Sequence, residues 1–237
     1  MKKIFFILTI FIFIFFNEAV AQNVTKGVSL KTICETSPVS PHLKFYTSYG
    51  KLEYDTSYTR DNLTRLGKNL GMFEEGDLAS GLALVDVAAE YELNTTSRKM
   101  TNGAACIFPQ ELSVYIGFQN PVIYLAKDME RNSCLYNLVV RHEQVHQQIN
   151  VNALEYFIPL IYQEVKKITE QMKPMYISSD KLIRAGTNEM TAFYAEQINT
   201  LVNQFKQEIL IEQRKLDNRQ QYQLESNICR RYNEQHH

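Results

Sequence analysis

The stretch His142-Glu143-Gln144-Val145-His146 constrains the fold of this chain more than any other. It reads H-E-x-x-H and follows an apolar run, residues 135–141, whose pattern is typical of a helix. On a helix, residues four apart lie one turn above each other on the same face. Two imidazoles placed in this way can bind one zinc ion, and the glutamate beside the first can reach a water on the metal. The alternative interpretation is a solvent-exposed helical face that carries two of the five histidines.

The N-terminus has the pattern of a secretion signal. Lys2 and Lys3 form a positive segment, residues 4–16 are apolar at all but one position, and Ala19-Val20-Ala21 has the form of a cleavage site. The apolar run is short for a membrane-spanning helix. We therefore expect residues 1–21 to be removed as a signal peptide. The mature chain would then be exported to the periplasm or the cell exterior, without a stable membrane span.

Removal of the signal leaves residues 22–237, which is 237 − 21 = 216 residues and enough for one domain with its own core. The full chain has 25 Lys and Arg residues against 26 Asp and Glu residues. Without Lys2, Lys3 and Glu18 the balance is 23 − 25 = −2. The sequence has no long basic run and no interleaving of basic and aromatic residues, which argues against nucleic-acid binding. The sequence does not indicate the oligomeric state.

Four cysteines, Cys34, Cys106, Cys134 and Cys229, remain in the mature chain. In an oxidising compartment an even number favours two disulfides, for which three pairings exist. The sequence contains no C-x-x-C pair that would indicate a second metal site. We predict a Cys106–Cys134 disulfide, which would tie the strand region to the start of the zinc helix. We also predict a Cys34–Cys229 disulfide, which would join the two ends of the chain.

The two parts of the mature chain differ in their sequence patterns, and the pattern of residues 22–133 predicts mainly strands. Short segments rich in β-branched and aromatic residues are separated by turn residues. Two pairs of segments read as hairpins, namely 43–47 with 51–55 around Gly50, and 111–116 with 122–125 around residues 119–121. Residues 82–93 are compatible with a strand or a helix, and the alternation at Val85, Val87 and Ala89 favours the strand.

Residues 134–237 predict mainly helices. One helix is expected over 134–172, a second from the N-capping residues 178–180 to about 216, and a short last helix from Leu216 onward. Strands first and helices second indicate an α+β fold. We expect a small antiparallel or mixed sheet, followed by a long antiparallel helical hairpin that carries the H-E-x-x-H helix.

A catalytic zinc normally has three protein ligands and one open position, so His142 and His146 require a third. His42 lies in a predicted loop, and His236 and His237 lie in a tail that we expect to fray. A carboxylate is therefore the expected third ligand, which is the gluzincin pattern.

The register of the helical hairpin selects that carboxylate. If the hairpin turns near residue 175, facing positions sum to about 351, so the histidines face residues 205–209. This places Glu208 opposite the metal, with Glu212 one turn further on as the reserve. Glu189 lies in an N-E-x-x-T segment typical of a zinc ligand, but it would lie roughly 24 Å from the histidines. Glu189 becomes the ligand only if the helix breaks at Gly186.

Two separated segments resemble a known group of proteins. Residues 133–146 read S-C-x-Y-x-x-x-x-x-H-E-x-x-H, and Leu216-Asp217, Tyr222 and Cys229 form an L-D-x-x-x-x-Y-x-x-x-x-x-x-C tail. Over residues 106–229 this layout resembles exported bacterial proteins described as predicted zinc-dependent proteases, within the wider zincin superfamily. The resemblance implies zinc at His142 and His146, Glu143 as the base and a disulfide at Cys134. It implies no substrate, and plainer zincins lack the L-D tail.

These features predict a metallohydrolase that uses Zn²⁺ and acts on a peptide or protein. Glu143 would accept the proton of the attacking water and pass it to the leaving amine. Residues 122–127 are expected to be an edge strand that holds an extended peptide by strand addition. Tyr222 or Tyr194 is a candidate to support the oxyanion. Asp217 is either a hydrogen-bond partner of a ligating histidine or the N-cap of the last helix, and the cap is favoured.

Two other functions are compatible with the sequence. In one, the protein is a non-catalytic exported protein whose helical hairpin binds a partner or the cell envelope, with a structural metal or none. In the other, it is a zinc amidase that acts on the cell wall. Metal content distinguishes the first from the peptidase, and only substrate trials distinguish the second.

Overall fold

The computed structural model describes residues 28–72 and 78–236, so the predicted signal at 1–21 lies outside the described residues. Within these ranges the chain combines helices and strands, as predicted. The elements, in chain order, are α1 (Leu30–Glu35), β1 (His42–Ser48), β2 (Glu53–Asp55), α2 (Arg60–Asn69), β3 (Gly81–Lys99), β4 (Ala105–Leu125), α3 (Cys134–Glu170), β5 (Met175–Ile177), α4 (Ile183–Leu216) and α5 (Arg219–His236). A 3₁₀ turn at Asp180–Leu182 precedes α4.

Strand β4 is the centre of the sheet. Strand β3 lies antiparallel along one side of it, from the pair Gly81–Leu125 to the pair Lys99–Ala105. The other side of β4 is shared along its length by β5, which is antiparallel, and by β1 and β2, which are parallel. The described strands thus form one mixed sheet of five strands.

Neither predicted hairpin forms. Strands β1 and β2 flank Gly50, but each pairs with β4. Both run parallel to β4 and hence in the same direction as each other, whereas the two strands of a hairpin are antiparallel. The segments 111–116 and 122–125 are parts of the single strand β4. Asn120, at φ 49°, and Pro121 lie where the register with β3 shifts. A Cβ atom at Gly50 would lie 2.7 Å from Pro121 Cδ, so the glycine lets the β1–β2 connection pack against this irregularity.

The main core lies between the sheet and the two long helices. Every second residue of the central part of β4 is buried there, through Leu112, Val114, Ile116 and Phe118. Helices α3 and α4 bury side chains at helical spacing against this face, namely Leu154, Ile161, Val165, Met190, Tyr194, Ile198, Val202, Phe205 and Ile209. The two histidines lie in the N-terminal half of α3, before the residues Leu154, Ile161 and Val165 with which the helix packs into this core.

The cysteines pair as Cys34–Cys106 and Cys134–Cys229, which corrects both predicted pairings. The prediction treated Cys106 and Cys134 as neighbours because they are close in sequence. However, β4 carries the chain from Cys106 along the whole sheet to Leu125 before α3 begins. Helix α1 supplies the partner at the Cys106 end, and α5 returns to the start of α3. Both bonds are typical of an oxidising compartment.

None of the helices in the part of the chain that the structure describes has the length and apolar composition to cross a bilayer. Their apolar residues instead follow one face, which is buried against the sheet.

Candidate metal centre

Three potential ligand atoms converge at one point of the fold. The Nε2 atoms of His142 and His146 lie 3.0 Å apart. The Oδ1 atom of Asp217 lies 3.2 Å from the first and 3.0 Å from the second. Tetrahedral zinc with bonds of about 2.0–2.1 Å keeps its ligand atoms roughly 3.3 Å apart, which is close to the size of this triangle. Among the described residues, this is the group of His, Cys, Asp and Glu side chains whose spacing fits a metal ion.

Helix α3 places the two histidines as the motif predicted. They lie one turn apart, with ring centroids 4.7 Å from each other. Only 6% of His142 and 7% of His146 is exposed. A solvent-exposed helical face is therefore the wrong interpretation of the motif, because both rings are directed into the protein.

Asp217 is the capping residue at the C-terminal end of α4. There the chain turns from α4 into α5, and this turn brings the carboxylate to the histidines. About a third of the side chain, 32%, is exposed. Asp217 therefore closes α4, whereas the prediction favoured it as the N-cap of the last helix. Its Oδ1 atom contacts both imidazole Nε2 atoms, so it lies where a third ligand would lie.

The structure does not bring Glu208 to the histidines, because the predicted helix register is displaced. Glu208 is exposed. His146 contacts Gln213 across the helix pair and Phe157 contacts Phe205, so facing positions sum to 146 + 213 = 359 and 157 + 205 = 362. The prediction assumed a sum of about 351. The residues that face the histidines therefore lie about eight to eleven positions further towards the end of α4 than predicted.

The other candidate residues also lie outside the cluster. Glu189 and His42 are exposed, Glu212 forms an ion pair with Lys215, and Tyr194 accepts a hydrogen bond from Lys173 N at 3.2 Å. Tyr194 therefore serves the packing of the helix connection. The side chains of Tyr222 and His236, and the whole of His237, lie outside the described residues.

Each histidine is held through its second ring nitrogen. His142 Nδ1 lies 3.2 Å from Glu225 Oε1, and His146 Nδ1 is hydrogen-bonded to Gln213 Oε1. The Gln213 amide group donates to His146 O at 3.0 Å and to Asn150 Oδ1 at 2.7 Å, which leaves its oxygen as the acceptor for His146. Acceptors at both Nδ1 atoms favour the tautomer whose Nε2 lone pair is free for a metal. The donor set thus fits a divalent cation.

The electrostatics of the centre also favour a cation. Burial lowers the pKa of His142, but hydrogen bonds to Asp217 and Glu225 and the charge of Glu143 outweigh this effect and raise the pKa to about 9. Burial also lowers the pKa of His146, but the hydrogen bond to Asp217 and the charge of Asp217 outweigh this effect, so the pKa is raised. The carboxylates that stabilise a proton on these rings would equally stabilise a metal cation in its place.

Glu143 lies beside the cluster and against the start of β3. Only 6% of the residue is exposed, and burial raises the pKa of its carboxyl group to about 7, although both histidines and a hydrogen bond from the Ala83 backbone N–H act in the opposite direction. A Cβ atom at Gly81 would lie 2.6 Å from Glu143 Oε1. The absence of a side chain at Gly81 therefore makes room for the carboxylate.

Sequence reasoning missed Glu225 and Gln213. The sequence spacing of each residue indicates its role once α3 is known to carry the metal-binding histidines. Gln213 lies one helical turn before Asp217, and Glu225 lies one turn before Cys229, within the L-D tail. The tail therefore supplies Asp217 as a candidate ligand and Glu225 as the partner of His142.

The centre opens into a cleft of about 670 Å³. Residues 80–86 form one wall, and apolar side chains of α3 and α4 form others, namely Leu135, Leu138, Val139, Ile209 and Leu210. The predicted edge strand at 122–127 is wrong, because residues 122–124 pair with β2 on one side and with β3 on the other. Over the described residues, the outer side of β3 has no strand partner. The sheet edge at the cleft is therefore β3.

No protein-family model, curated protein or solved structure matches the chain. Its chemistry must be inferred from the site itself. That site consists of two imidazoles and a carboxylate at metal-binding spacing, with a buried glutamate beside them.

Proposed function

We propose that this protein is an exported zinc-dependent metallohydrolase that cleaves peptide bonds. The observation that carries the proposal is the convergence of His142 Nε2, His146 Nε2 and Asp217 Oδ1 within 3.2 Å of one another. Two imidazoles and one carboxylate are a ligand set of catalytic zinc, with a fourth position left open. The same set also suits ferrous iron, which metal analysis distinguishes from zinc.

Glu143 is the general base in this proposal. Bound zinc supplies a Lewis acid that polarises the scissile carbonyl and lowers the pKa of a water molecule towards neutrality. The Glu143 carboxylate accepts a proton from the attacking water and passes it to the leaving nitrogen. A pKa raised by burial to about 7 suits a group that must accept and then release a proton near neutral pH. The Ala83 N–H and the space at Gly81 hold the carboxylate in place.

The cleft supports an extended peptide as the substrate. Backbone groups on the outer side of β3 are suited to strand addition, in which a peptide pairs with a sheet edge. The apolar side chains of Leu135, Leu138 and Ile209 line the same cleft and favour apolar residues next to the scissile bond.

Substitution of Glu143 tests the mechanism. Zinc-loaded protein should cleave members of a mixed peptide library, and Glu143→Gln should keep its fold and zinc but cleave at least about 100-fold more slowly. Glu164→Gln, on the same helix and with 45% of the side chain exposed, is the matched control and should cleave like the wild type. Cleavage by Glu143→Gln at the wild-type rate would refute the role of Glu143. Hydrolysis of cell-wall amides alone, by zinc-loaded protein, would refute the peptide substrate.

A further inference from the structure

Helix α5 is joined to the metal helix at two levels. The Cys134–Cys229 disulfide links the first residue of α3 to α5. Two turns further along α3, His142 Nδ1 lies 3.2 Å from Oε1 of Glu225, which precedes Cys229 by one turn on α5. The covalent bond and the hydrogen bond are therefore neighbouring links between the same two helices.

The side chains of α5 that the structure describes bury little apolar surface. Among its side chains that the structure describes, Cys229 is the one that is buried. Leu224, Ile228 and Tyr232 are about half exposed. Buried apolar area supplies most of the free energy that holds a helix on a domain, and these described side chains supply little of it, so we expect the disulfide to contribute to the attachment of α5.

We propose that Glu225 is a positioning residue for His142, and that the Cys134–Cys229 disulfide holds it there. The Glu225 carboxylate accepts a hydrogen bond from the Nδ1–H group of His142 and so directs the Nε2 lone pair to the position shared with His146 and Asp217. The affinity of the centre for zinc then depends on a covalent bond that contacts no metal ligand. This inference rests on the metal centre proposed above.

The second disulfide provides a matched control. Cys34–Cys106 closes a loop over 72 residues and Cys134–Cys229 over 95, so loss of either bond frees the unfolded chain to a similar extent. Cys106 lies near the start of β4, whereas Leu125 at the other end pairs with Gly81 beside Glu143. Loss of Cys34–Cys106 should therefore affect stability without a specific effect on zinc binding.

The test measures zinc affinity by competition with a chromophoric chelator, on protein shown to be folded by circular dichroism. Glu225→Ala should weaken zinc binding roughly 10–100-fold, the range typical for loss of a group that orients a metal-bound histidine. Glu225→Gln, whose amide oxygen still accepts a hydrogen bond from Nδ1, should recover most of this loss. Cys134→Ser/Cys229→Ser should weaken binding similarly, and Cys34→Ser/Cys106→Ser should bind like the wild type.

A double-mutant cycle shows whether the disulfide acts through Glu225. If it does, Glu225→Ala added to Cys134→Ser/Cys229→Ser should cause little further loss. Losses that multiply would overturn this link, and Glu225→Ala with wild-type affinity would overturn the positioning role. If Cys134→Ser/Cys229→Ser does not fold, the Ala and Gln variants of Glu225 still decide the positioning role. A wild-type protein that binds no zinc would instead refute the proposed function.

Discussion

At the scale of single residues, the centre consists of hydrogen-bond acceptors that face one another. With Nδ1 of both histidines bound to Glu225 and Gln213, the Nε2 lone pairs and the Asp217 carboxylate are directed to the same point. Acceptors so close together repel unless a proton or a cation lies between them. The arrangement therefore favours a bound metal ion.

Gly81 tests the position of Glu143 without any change to a metal ligand. In Gly81→Ala the new methyl group would lie 2.6 Å from Glu143 Oε1 and 2.7 Å from Val139 Cγ1, so the carboxylate must move. We expect zinc to be retained and the rate of peptide cleavage to fall by about 100-fold, because proton transfer depends on this position.

Gly186→Ala is the control for crowding alone. Its methyl group would lie 2.7 Å from Ile107 Cδ1, in the core and away from Glu143. This variant should lose some stability but keep its activity per folded molecule. Equal activity of Gly81→Ala and the wild type would mean that Glu143 tolerates displacement and is not the base.

At the scale of elements, the sequence predicts the helices and turns that are determined by interactions between residues close together in the chain. The helix at 134 was predictable because Ser133 is an N-cap that accepts from Tyr136 N and an apolar pattern follows it. Pairing between distant elements was not predictable in the same way. The signals at Gly50 and Pro121 are local and say nothing about which strand β1 or β2 will join.

The third ligand shows the same limit. Two histidines on one helix follow from a 3.6-residue period, but the residue opposite them depends on the length of the α3–α4 connection. Strand β5 occupies part of that connection because it pairs with β4, a contact far away in sequence. The observed register differs from the predicted one by about eight to eleven positions, so residues near the end of α4 face the histidines in place of Glu208. Asp217 then reaches the histidines from the turn that follows.

Phe205 tests the packing that fixes this register. Its ring is fully buried and lies 6.1 Å from the Phe118 ring on the sheet and 5.5 Å from the Phe157 ring on α3. Phe205→Ala should reduce the free energy of unfolding by about 3–5 kcal/mol, measured by chemical denaturation. Phe193→Ala, on the same helix but 61% exposed, should change it by about 0.5 kcal/mol or less. Equal effects of the two variants would contradict the packing described.

At the scale of the whole molecule, the centre forms only where three parts of the fold meet. The sheet edge supplies Gly81 and Ala83, α3 supplies the H-E-x-x-H residues, and the α4–α5 region supplies Asp217 and Glu225. An unfolded chain does not hold these groups together. Metal binding should therefore stabilise the folded state of the whole protein.

The pH dependence of that stabilisation has a definite sign. In the metal-free protein His142 has a pKa of about 9, against 6.5 for its ordinary value, and Glu143 has a pKa of about 7, against 4.5. Both pKa values are raised on folding, so the stability associated with the bound protons is lost as pH rises. This loss occurs between about pH 4.5 and 7 for Glu143 and between about pH 6.5 and 9 for His142. Zinc must displace protons from the histidines, so zinc binding becomes stronger as the pH rises towards the pKa of His142.

We therefore expect the melting temperature of zinc-loaded protein, minus that of chelator-treated protein, to increase between about pH 6 and pH 8. The subtraction removes the effect of groups outside the centre, such as Glu111, whose pKa is lowered by its hydrogen bond to Lys44. A difference that is constant or decreases over this range would show that zinc does not replace protons on these histidines.

The zinc affinity of the Asp217→Ala variant, compared with that of Glu208→Ala, tests the central claim most directly. The wild type should bind one zinc per chain, and a His142→Ala/His146→Ala variant should bind none there. Asp217→Ala should bind at least about 100-fold more weakly, because loss of a ligand costs more than loss of an outer hydrogen-bond partner. Glu208 is exposed and distant in register, so Glu208→Ala should bind like the wild type. Wild-type affinity in Asp217→Ala, or a loss of affinity in Glu208→Ala, would contradict the His142–His146–Asp217 centre.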